Sequence, residues 1–297
     1  MIGVFDSGHG GLTVLRALAE RFPGSSFLYL GDHANAPYGN RPSHEIVTLT
    51  RRAVHALFGA GCRLVLLGCN TATCVAARTL QREWLPSSQW SGHNVLGIVA
   101  PTVEAATQTP WAAKTPQYPQ KYNTDLVAVF GTTRTVTSNV YPEEIRKRCP
   151  RVTVVQQICA ELAGAIEKKA PEPVLDGLVK TGVDGLLAQT GQRAPDRAIL
   201  GCTHFPLVEH LFRRHLPPAT RILSQPIVVA DSLEDYLARH PEYLKDEQCS
   251  RPSTVLLTTG DAAAVADTAR VFWPDVPPFR TVRDGSGAAA DIRAALE

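Results

Sequence analysis

The chain has 297 residues, 44% of them hydrophobic and 20% charged, with a formal net charge of +2, and this length suits two domains or one large α/β unit. So small a net charge gives no electrostatic reason to expect nucleic acid or an anionic membrane as a partner. No apolar run approaches the ~18 residues of a membrane span, and the N-terminal sequence MIGVFDSGHG has no signal-peptide pattern, so we expect a cytoplasmic protein.

Short apolar runs alternate with segments of helical periodicity, which is typical of a parallel sheet covered by helices. Strands are predicted at residues 2–5, 27–30, 63–67, 95–99, 126–130, 152–155 and 198–200. Helices are predicted at 12–22, at 43–60, from 70 to about 84, and in the C-terminal tail. Residues 107–124 contain three prolines and little periodicity, which predicts an irregular loop.

One sequence pattern occurs twice. VLLGCNTAT (65–73) and AILGCTHFP (198–206) each combine an apolar strand, Gly-Cys, a helix-capping residue and the start of a helix. VFDSGHGG (4–11) pairs more loosely with VFGTTRTV (129–136). The offsets of 133 and 125 residues indicate two related α/β halves rather than a short repeat. Because ligands bind beyond the carboxyl ends of parallel strands, facing halves would present two cysteines to one ligand from opposite sides.

The chain contains seven cysteines, and an odd number without an export signal favours reduced thiols. Cys69 and Cys202 lie at or just before predicted helix N-termini, where the helix dipole stabilises a thiolate and lowers the thiol pKa. Cys159 stays ambiguous. Packing in the core, the usual role of a buried cysteine, is predicted for Cys62, Cys74, Cys149 and Cys249.

Two opposed thiols suit the inversion of an amino acid at Cα. One group removes the proton from one face while the other delivers a proton to the opposite face, and two groups of similar pKa do this directly. With each sulfur about 3–3.5 Å from Cα, the two sulfur atoms would lie roughly 7 Å apart. Pyridoxal phosphate would also acidify Cα, but none of the seven lysines lies in such a strand-end loop, so no cofactor is expected.

Zinc is the alternative partner for the thiols. Cys69, Cys74, Cys202 and His204 could be written as a ligand set. Structural zinc, however, usually draws on ligand pairs that are two to four residues apart, and these spacings match poorly. We therefore expect no metal.

The first strand-end loop runs from Asp6 to Gly11. Its glycine N–H groups and the following helix N-terminus suit a carboxylate, but the loop lacks the Gly-x-Gly-x-x-Gly pattern of dinucleotide-binding proteins. Asp6 fits a base partner or the acceptor of a substrate ammonium. His9 is expected to be an ordinary loop histidine. Weaker signals come from the turn Pro37-Tyr38-Gly39 and from the hydroxyls of Thr132, Thr133 and Thr135.

Together these segments resemble the aspartate/glutamate racemase family, and in particular its glutamate racemases. The matching segments are IGVFDSGHGGLTVLRAL, YLGDHANAPYGNRP, LGCNTATC, VFGTTRTVTSNVY, LGCTHFPLV and LLTTGD, which spread over residues 2–261. The resemblance implies cofactor-independent interconversion of L- and D-glutamate. It further implies that Cys69 acts on the D-enantiomer and Cys202 on the L-enantiomer.

The resemblance also assigns roles to other residues. Asp6 and His204 match the residues that assist the two thiols, and Glu167 in ICAELAGAIE aligns as a third support residue. The predicted substrate-binding residues are Asp6, Ser7, Tyr38, Gly39, Asn70, Thr71, Thr132, Thr135, Thr203 and His204.

The implied fold consists of two similar parallel-sheet α/β domains that face each other across an active-site cleft. Residues 1–99 and 209–297 would form a first, discontinuous domain with a C-terminal tail helix, and residues 100–208 the second. The expected partner is a small-molecule substrate, glutamate. Because such enzymes supply D-glutamate for peptidoglycan, a bacterial cytoplasm is implied. The sequence carries no signal for an oligomeric state, and a homodimer is left open.

Some residues depart from the family pattern. The family usually has a small aliphatic residue at the position of His9, often a threonine at His33, and commonly an alanine near Arg134. Arg134 is either a solvated surface residue or a bidentate ligand of the substrate's distal carboxylate. A racemase of aspartate or of another acidic amino acid is therefore kept as the nearest alternative. A nucleotide-dependent oxidoreductase and a non-catalytic amino-acid-binding protein are more distant ones.

Overall fold

The computed structural model describes residues 1–113, 115–122, 124–244, 252–283 and 288–296. Cys249 and the glycine-containing segment 284–287 lie outside the described residues. Within these ranges the strands are β1 (Ile2–Asp6), β2 (Phe27–Gly31), β3 (Leu64–Leu67), β4 (Asn94–Gly97), β5 (Leu126–Gly131), β6 (Thr153–Ile158), β7 (Arg197–Gly201), β8 (Arg221–Leu223), β9 (Thr254–Thr258) and β10 (Phe279–Thr281).

The helices cover the faces of the sheets. They are α1 (Gly11–Arg21), α2 (Ser43–Gly59), α3 (Asn70–Thr79), α4 (Leu85–Ser87), α5 (Val99–Thr107), α6 (Thr133–Thr137), α7 (Val140–Arg148), α8 (Leu162–Glu167), α9 (Glu172–Gln189), α10 (Glu209–His215), α11 (Gln225–Arg239), α12 (Ala262–Phe272) and α13 (Ala288–Leu296). The predicted helix from 70 to 84 ends at Thr79 and continues as a π-helical turn over Leu80–Trp84. Pro86 follows this turn after Leu85 and has no backbone N–H to donate to the preceding helical turn.

The strands form two parallel sheets. The first has the order β10-β9-β2-β1-β3-β4 and the second the order β6-β5-β7-β8. Every residue of β1 and β5 is buried, as expected for parallel strands that are covered by helices on both faces. The predicted class of two parallel-sheet α/β domains is confirmed. The fourth predicted strand ends earlier than expected, because Val99 already begins α5.

The first sheet takes strands from both ends of the chain, and the second sheet lies between them in sequence. The sequence predicts that the chain returns to the first domain at residue 209, but this boundary is too early. β8 is paired with β7 in the second sheet, with Ile199 opposite Leu223, and α10 packs on α9. The ring of Phe212 in α10 lies 5.0 Å from that of Phe130 in β5. The chain returns to the first sheet only with α11, which packs on α1.

One hydrophobic core connects the two sheets. It contains Val4 and Leu12 from the first sheet and its helix, together with Phe130, Phe205 and Phe212 from the second half. Cys62 and Cys149 are buried in two further cores, and Cys74 packs against the edge of one of them. Their predicted packing role is confirmed. Cys159 is buried in the core that connects the sheets.

The proline-bearing segment is irregular after Thr107, as predicted, and two buried arginines hold it. The guanidinium of Arg148 lies 4.2 Å from the ring centroid of Trp111, and that of Arg197 lies 3.6 Å from Tyr122. Nη2 of Arg148 also donates a hydrogen bond to the carbonyl of Trp111 at 2.6 Å. In the described part of the chain, no helix combines the length and apolarity needed to cross a membrane.

Candidate active site

Four loops that follow strand ends form the candidate site. β1 ends at Asp6, and β3, β5 and β7 are followed by Cys69, Thr132 and Cys202. Because the strands are parallel, the loops of each sheet lie at one edge of that sheet. The two edges meet at Gly10, where an added Cβ would touch Thr203 and lie 2.6 Å from Nδ1 of His204. The strand-end loops of the two sheets therefore converge, as the sequence predicted.

Cys69 caps the N-terminus of α3 and is buried. Its Sγ accepts a hydrogen bond from the backbone N–H of Ala72 at 3.4 Å and lies 3.4 Å from Oγ of Ser7. Burial raises the pKa of this thiol to about 12, and Asp6 adds to the rise, while the hydrogen bonds from Ser7 and Ala72 oppose it. The position at a helix N-terminus is confirmed. The predicted lowering of the pKa is wrong for Cys69, because desolvation outweighs the helix dipole.

Cys202 begins a chain of polar contacts that reaches Glu167. Its Sγ lies 3.6 Å from Nδ1 of His204, and Nε2 of that ring lies 2.8 Å from Oε1 of Glu167. Burial alone would lower the pKa of His204, but Cys202 and Glu167 raise it to about 10. Burial raises the pKa of Glu167, but hydrogen bonds from His204 and His9 outweigh it and hold this pKa below its usual range. An imidazolium–carboxylate pair thus stands beside this thiol.

Asp6 is buried, and its charge acts both on Cys69 and on His204. Its Oδ1 accepts a hydrogen bond from the backbone N–H of Gly8 at 2.7 Å. Burial raises the pKa of Asp6 to about 6, although His204 and the N–H groups of Gly8 and Gly11 act in the opposite direction. A carboxyl group with a pKa near neutrality can both accept and donate a proton. The two thiols therefore have different acid–base neighbours.

Three hydroxyl groups join the loops of the two sheets. Oγ1 of Thr71 lies 3.1 Å from that of Thr132 and 3.4 Å from that of Thr135. Thr132 also caps α6 by accepting a hydrogen bond from the backbone N–H of Thr135. The turn at Gly39 approaches the same cluster, since an added Cβ there would lie 3.3 Å from Cβ of Thr132. Four of the predicted substrate-binding residues thus lie together.

Tyr38 is buried, and its hydroxyl donates a hydrogen bond to Oδ2 of Asp32 at 2.6 Å. Oδ1 of Asp32 accepts hydrogen bonds from Asn35 at 3.0 Å and from Thr259 at 2.8 Å. The carboxylate of Asp32 therefore fixes the turn that carries Tyr38 and Gly39. Sequence reasoning missed Asp32, although it directly follows β2 as Asp6 ends β1.

Asn70 points its side chain into a buried network. Its Nδ2 donates to Oε1 of Gln225 at 2.5 Å, and its Oδ1 accepts from the hydroxyl of Tyr141 at 2.8 Å. Gln225 donates in turn to Thr102 at 2.9 Å. Thr102 lies in α5 and Gln225 begins α11, the helices that follow the two crossings between the sheets. This network, which the sequence did not predict, ties the residue after Cys69 to both crossings.

His9 is not the ordinary loop histidine that was expected. It is buried, its Nδ1 lies 3.4 Å from Oε1 of Glu167, and its Nε2 lies 3.2 Å from the carbonyl of Val265. The ring of His33 packs edge-on against it at 4.3 Å, and burial lowers the pKa of His33 to about 3. Arg134 lies in α6 beside the hydroxyl cluster, and its buried Nε has no hydrogen-bond partner among the described residues.

The zinc alternative has no counterpart in the described ranges, where no group of three or more His, Cys, Asp or Glu residues could hold a metal ion. Cys74, which belonged to that ligand set, packs against a core. Burial raises the pKa of its thiol to about 12.

Sequence comparison identifies the family. The sequence profile of the Asp/Glu/Hydantoin racemase family matches residues 2–232. The chain belongs to this racemase family. It is 49% identical to a glutamate racemase of Phenylobacterium zucineum, with 92% of this chain and 96% of the relative covered. A glutamate racemase of a Caulobacter species is 46% identical with the same coverage. These relatives support a glutamate racemase function, and the predicted class, an amino-acid racemase and thus an isomerase, is confirmed.

Solved structures of racemases share the fold. A glutamate racemase isoform from Bacillus anthracis superposes with a TM-score of 0.81 at 26% identity, covering 96% of this chain and 97% of that one. A glutamate racemase from Francisella tularensis, solved in complex with D-glutamate, has a TM-score of 0.78 at 21% identity, with 96% and 97% covered. The second likeness concerns the fold alone.

Because the two loops approach so closely at Gly10, one methyl group added at this position should lower the stability of the protein. In Gly10→Ala the new Cβ would lie 2.6 Å from Nδ1 of His204, so we expect a loss of about 1–3 kcal/mol in the free energy of unfolding. Gly24→Ala is the control, because nothing lies within 4 Å of its added Cβ. Urea unfolding of both variants measures the difference, and equal stabilities would contradict the close approach of the two loops.

The contact between Cys202 and His204 predicts that the pKa of His204 changes when the thiol is removed. The pKa of His204 is raised to about 10 by Cys202 and Glu167, so Cys202→Ala should lower it while the ring stays buried. Nitrogen-15 NMR of the imidazole ring measures the midpoint, with Cys149→Ala as the buried-cysteine control. An unchanged His204 midpoint in Cys202→Ala would mean that the thiol does not hold the proton on the ring.

Proposed function

We propose that this protein interconverts L- and D-glutamate without a cofactor, with Cys69 and Cys202 as the two proton-transfer groups. The observation that carries the proposal is where the two thiols lie in the fold. They follow β3 and β7 in different sheets and both are buried, and the groups that act on them differ, with Asp6 raising the pKa of Cys69 and His204 in contact with Cys202. Such an arrangement provides two separate groups for the two faces of one Cα. Glutamate is the proposed substrate because the relatives at 46–49% identity are glutamate racemases.

In the direction from L to D, the Cys202 thiolate removes the Cα proton, so that the C–H bond breaks and an S–H bond forms. The Cys69 thiol then donates its proton to the opposite face of Cα and becomes a thiolate. The raised pKa of Cys69, about 12, suits this role as proton donor. In the reverse direction the Cys69 thiol must first lose its proton, for which the Asp6 carboxylate is the neighbouring acceptor, and the Cys202 thiolate must gain one, for which the imidazolium of His204 is the neighbouring donor.

Hydroxyl and N–H groups at the strand ends are proposed to hold the substrate. The N-terminus of α3 and the hydroxyls of Ser7, Thr71 and Thr203 would bind the α-carboxylate and stabilise the carbanion-like charge as it develops. Thr132 and Thr135 extend this hydroxyl surface from the second sheet. The side chain of Asn70 is already bonded to Gln225 and Tyr141. We therefore assign to Asn70 a contact through its backbone.

Free thiols are a requirement of this mechanism, which supports the expected cytoplasmic location, since a reducing compartment keeps Cys69 and Cys202 from forming disulfides. The product D-glutamate would serve peptidoglycan synthesis, as the family resemblance implies. A homodimer stays a prediction.

The test uses protein freed of metal and pyridoxal phosphate. Incubated with L-glutamate in deuterium oxide, it should remove optical rotation and introduce deuterium at Cα. Glutamate that keeps both its rotation and its Cα proton would overturn the proposal. Aspartate in the same assay tests the alternative substrate. Cys69→Ser and Cys202→Ser should each abolish racemisation, and full activity in either would contradict the two-thiol scheme, while Cys149→Ser serves as the control.

Arg134 is the proposed ligand of the distal carboxylate. Its buried Nε lacks a partner among the described residues, so a substrate carboxylate would satisfy it. Arg134→Ala should raise KM for glutamate at least about tenfold, because a hydrogen bond to a charged group is lost. Steady-state kinetics measures this, with Arg146→Ala in α7 as the arginine control. An unchanged KM would mean that Arg134 is a surface residue and does not bind the substrate.

A further inference from the structure

His9 touches the Cys202 half of the site through Glu167. Oε1 of Glu167 receives two contacts, from Nε2 of His204 at 2.8 Å and from Nδ1 of His9 at 3.4 Å. Among the described residues, no histidine stands in a corresponding contact with Cys69, whose Sγ lies instead 3.4 Å from the hydroxyl of Ser7. The two halves of the site are therefore unequal, and His9 is part of the difference.

The ring of His9 is held on three sides. Its Nε2 lies 3.2 Å from the carbonyl of Val265, its plane stacks on Phe272 with centroids 5.8 Å apart, and His33 packs edge-on at 4.3 Å. Phe272 also contacts His204, whose ring stands edge-on at 5.1 Å. One aromatic side chain thus fixes both histidines that reach Glu167, and His9 presents its Nδ1 to the carboxylate from a rigid position.

Both partners of His9 are acceptors. A backbone carbonyl and a carboxylate have no hydrogen to give, so His9 bonds to both only when each of its ring nitrogens carries a hydrogen. Glu167 is the last residue of α8 and 35% of its side chain is exposed, so a second protein partner helps to fix its carboxylate. Water would otherwise compete with His204 for the carboxylate.

We propose that His9 is a positioning residue for the proton transfer at Cys202. It holds the Glu167 carboxylate in place so that Glu167 in turn orients the imidazole of His204 toward the thiol. This inference rests on the proposed function, and it adds a residue that acts on one of the two proton transfers and not on the other.

Kinetic isotope effects distinguish the proton transfer at Cys202 from that at Cys69, whereas kcat/KM does not. The two enantiomers have equal free energy, so kcat/KM is the same in both directions for every variant. Substrate deuterated at Cα reports which transfer limits the rate. If the step at Cys202 is slowed, the isotope effect rises with deuterated L-glutamate, because Cys202 breaks that bond, and falls with deuterated D-glutamate, because Cys69 breaks that one.

Three variants of His9 distinguish the contacts. His9→Val removes both. His9→Asn keeps a donor at the place of Nδ1, facing Glu167, and His9→Gln keeps a donor near the place of Nε2, facing Val265. We expect His9→Val and His9→Gln to lose activity on the order of tenfold and to raise the ratio of the L to the D isotope effect. His9→Asn should restore the wild-type ratio. Ser7→Ala, on the Cys69 side, should shift the ratio the other way.

The outcomes are separable. A wild-type protein that neither racemises glutamate nor exchanges its Cα proton would contradict the proposed function itself. With an active wild type, an unchanged isotope-effect ratio in His9→Val, or a failure of His9→Asn to restore it, would overturn the role of His9 alone. Thermal unfolding of all variants excludes loss of fold as the cause. Should His9→Val not fold, the comparison between His9→Asn and His9→Gln still decides.

Discussion

The close approach of two loops at Gly10 is the constraint on which the site depends. A Cβ at this position would touch Thr203 and lie 2.6 Å from Nδ1 of His204, so the loop after β1 can meet the loop after β7 only because residue 10 has no side chain. The same contact brings Asp6 and His204 close enough to influence each other's charge. In the proposed mechanism, this close approach is what allows the cysteines of the two sheets to face one substrate.

Because the two loops close the site, its charged groups are buried. This burial places the two thiols in different electrostatic surroundings. Around Cys69, burial and the carboxyl of Asp6 favour the protonated thiol. Beside Cys202, the contacts with the thiol and with Glu167 outweigh burial, raise the pKa of His204 and favour its protonated imidazole. In the proposed mechanism the resting protein thus already holds one proton donor and one proton acceptor. The fold creates this difference although the two Gly-Cys loops are similar in sequence.

Local sequence was sufficient where the signal lies within one loop. Cys69 and Cys202 follow an apolar strand with Gly-Cys and a capping residue, and the structure places both at strand ends. The strands from β1 to β7 were predicted in the same way, whereas the pairing of β8 with β7 depends on a contact between distant segments. The expectation of an ordinary loop histidine is wrong for His9 for the same reason, because its partners Glu167 and Val265 lie 158 and 256 residues further along the chain. Gln225 was missed because its importance lies in a buried network with Asn70.

A crystal structure of the protein with glutamate bound would test the two-thiol mechanism directly. Sγ of Cys69 and Sγ of Cys202 should lie on opposite faces of the substrate Cα, each about 3–3.5 Å from it and roughly 7 Å from each other. Two sulfur atoms on the same face of Cα, or one of them beyond contact distance while the substrate is fully enclosed, would rule this mechanism out.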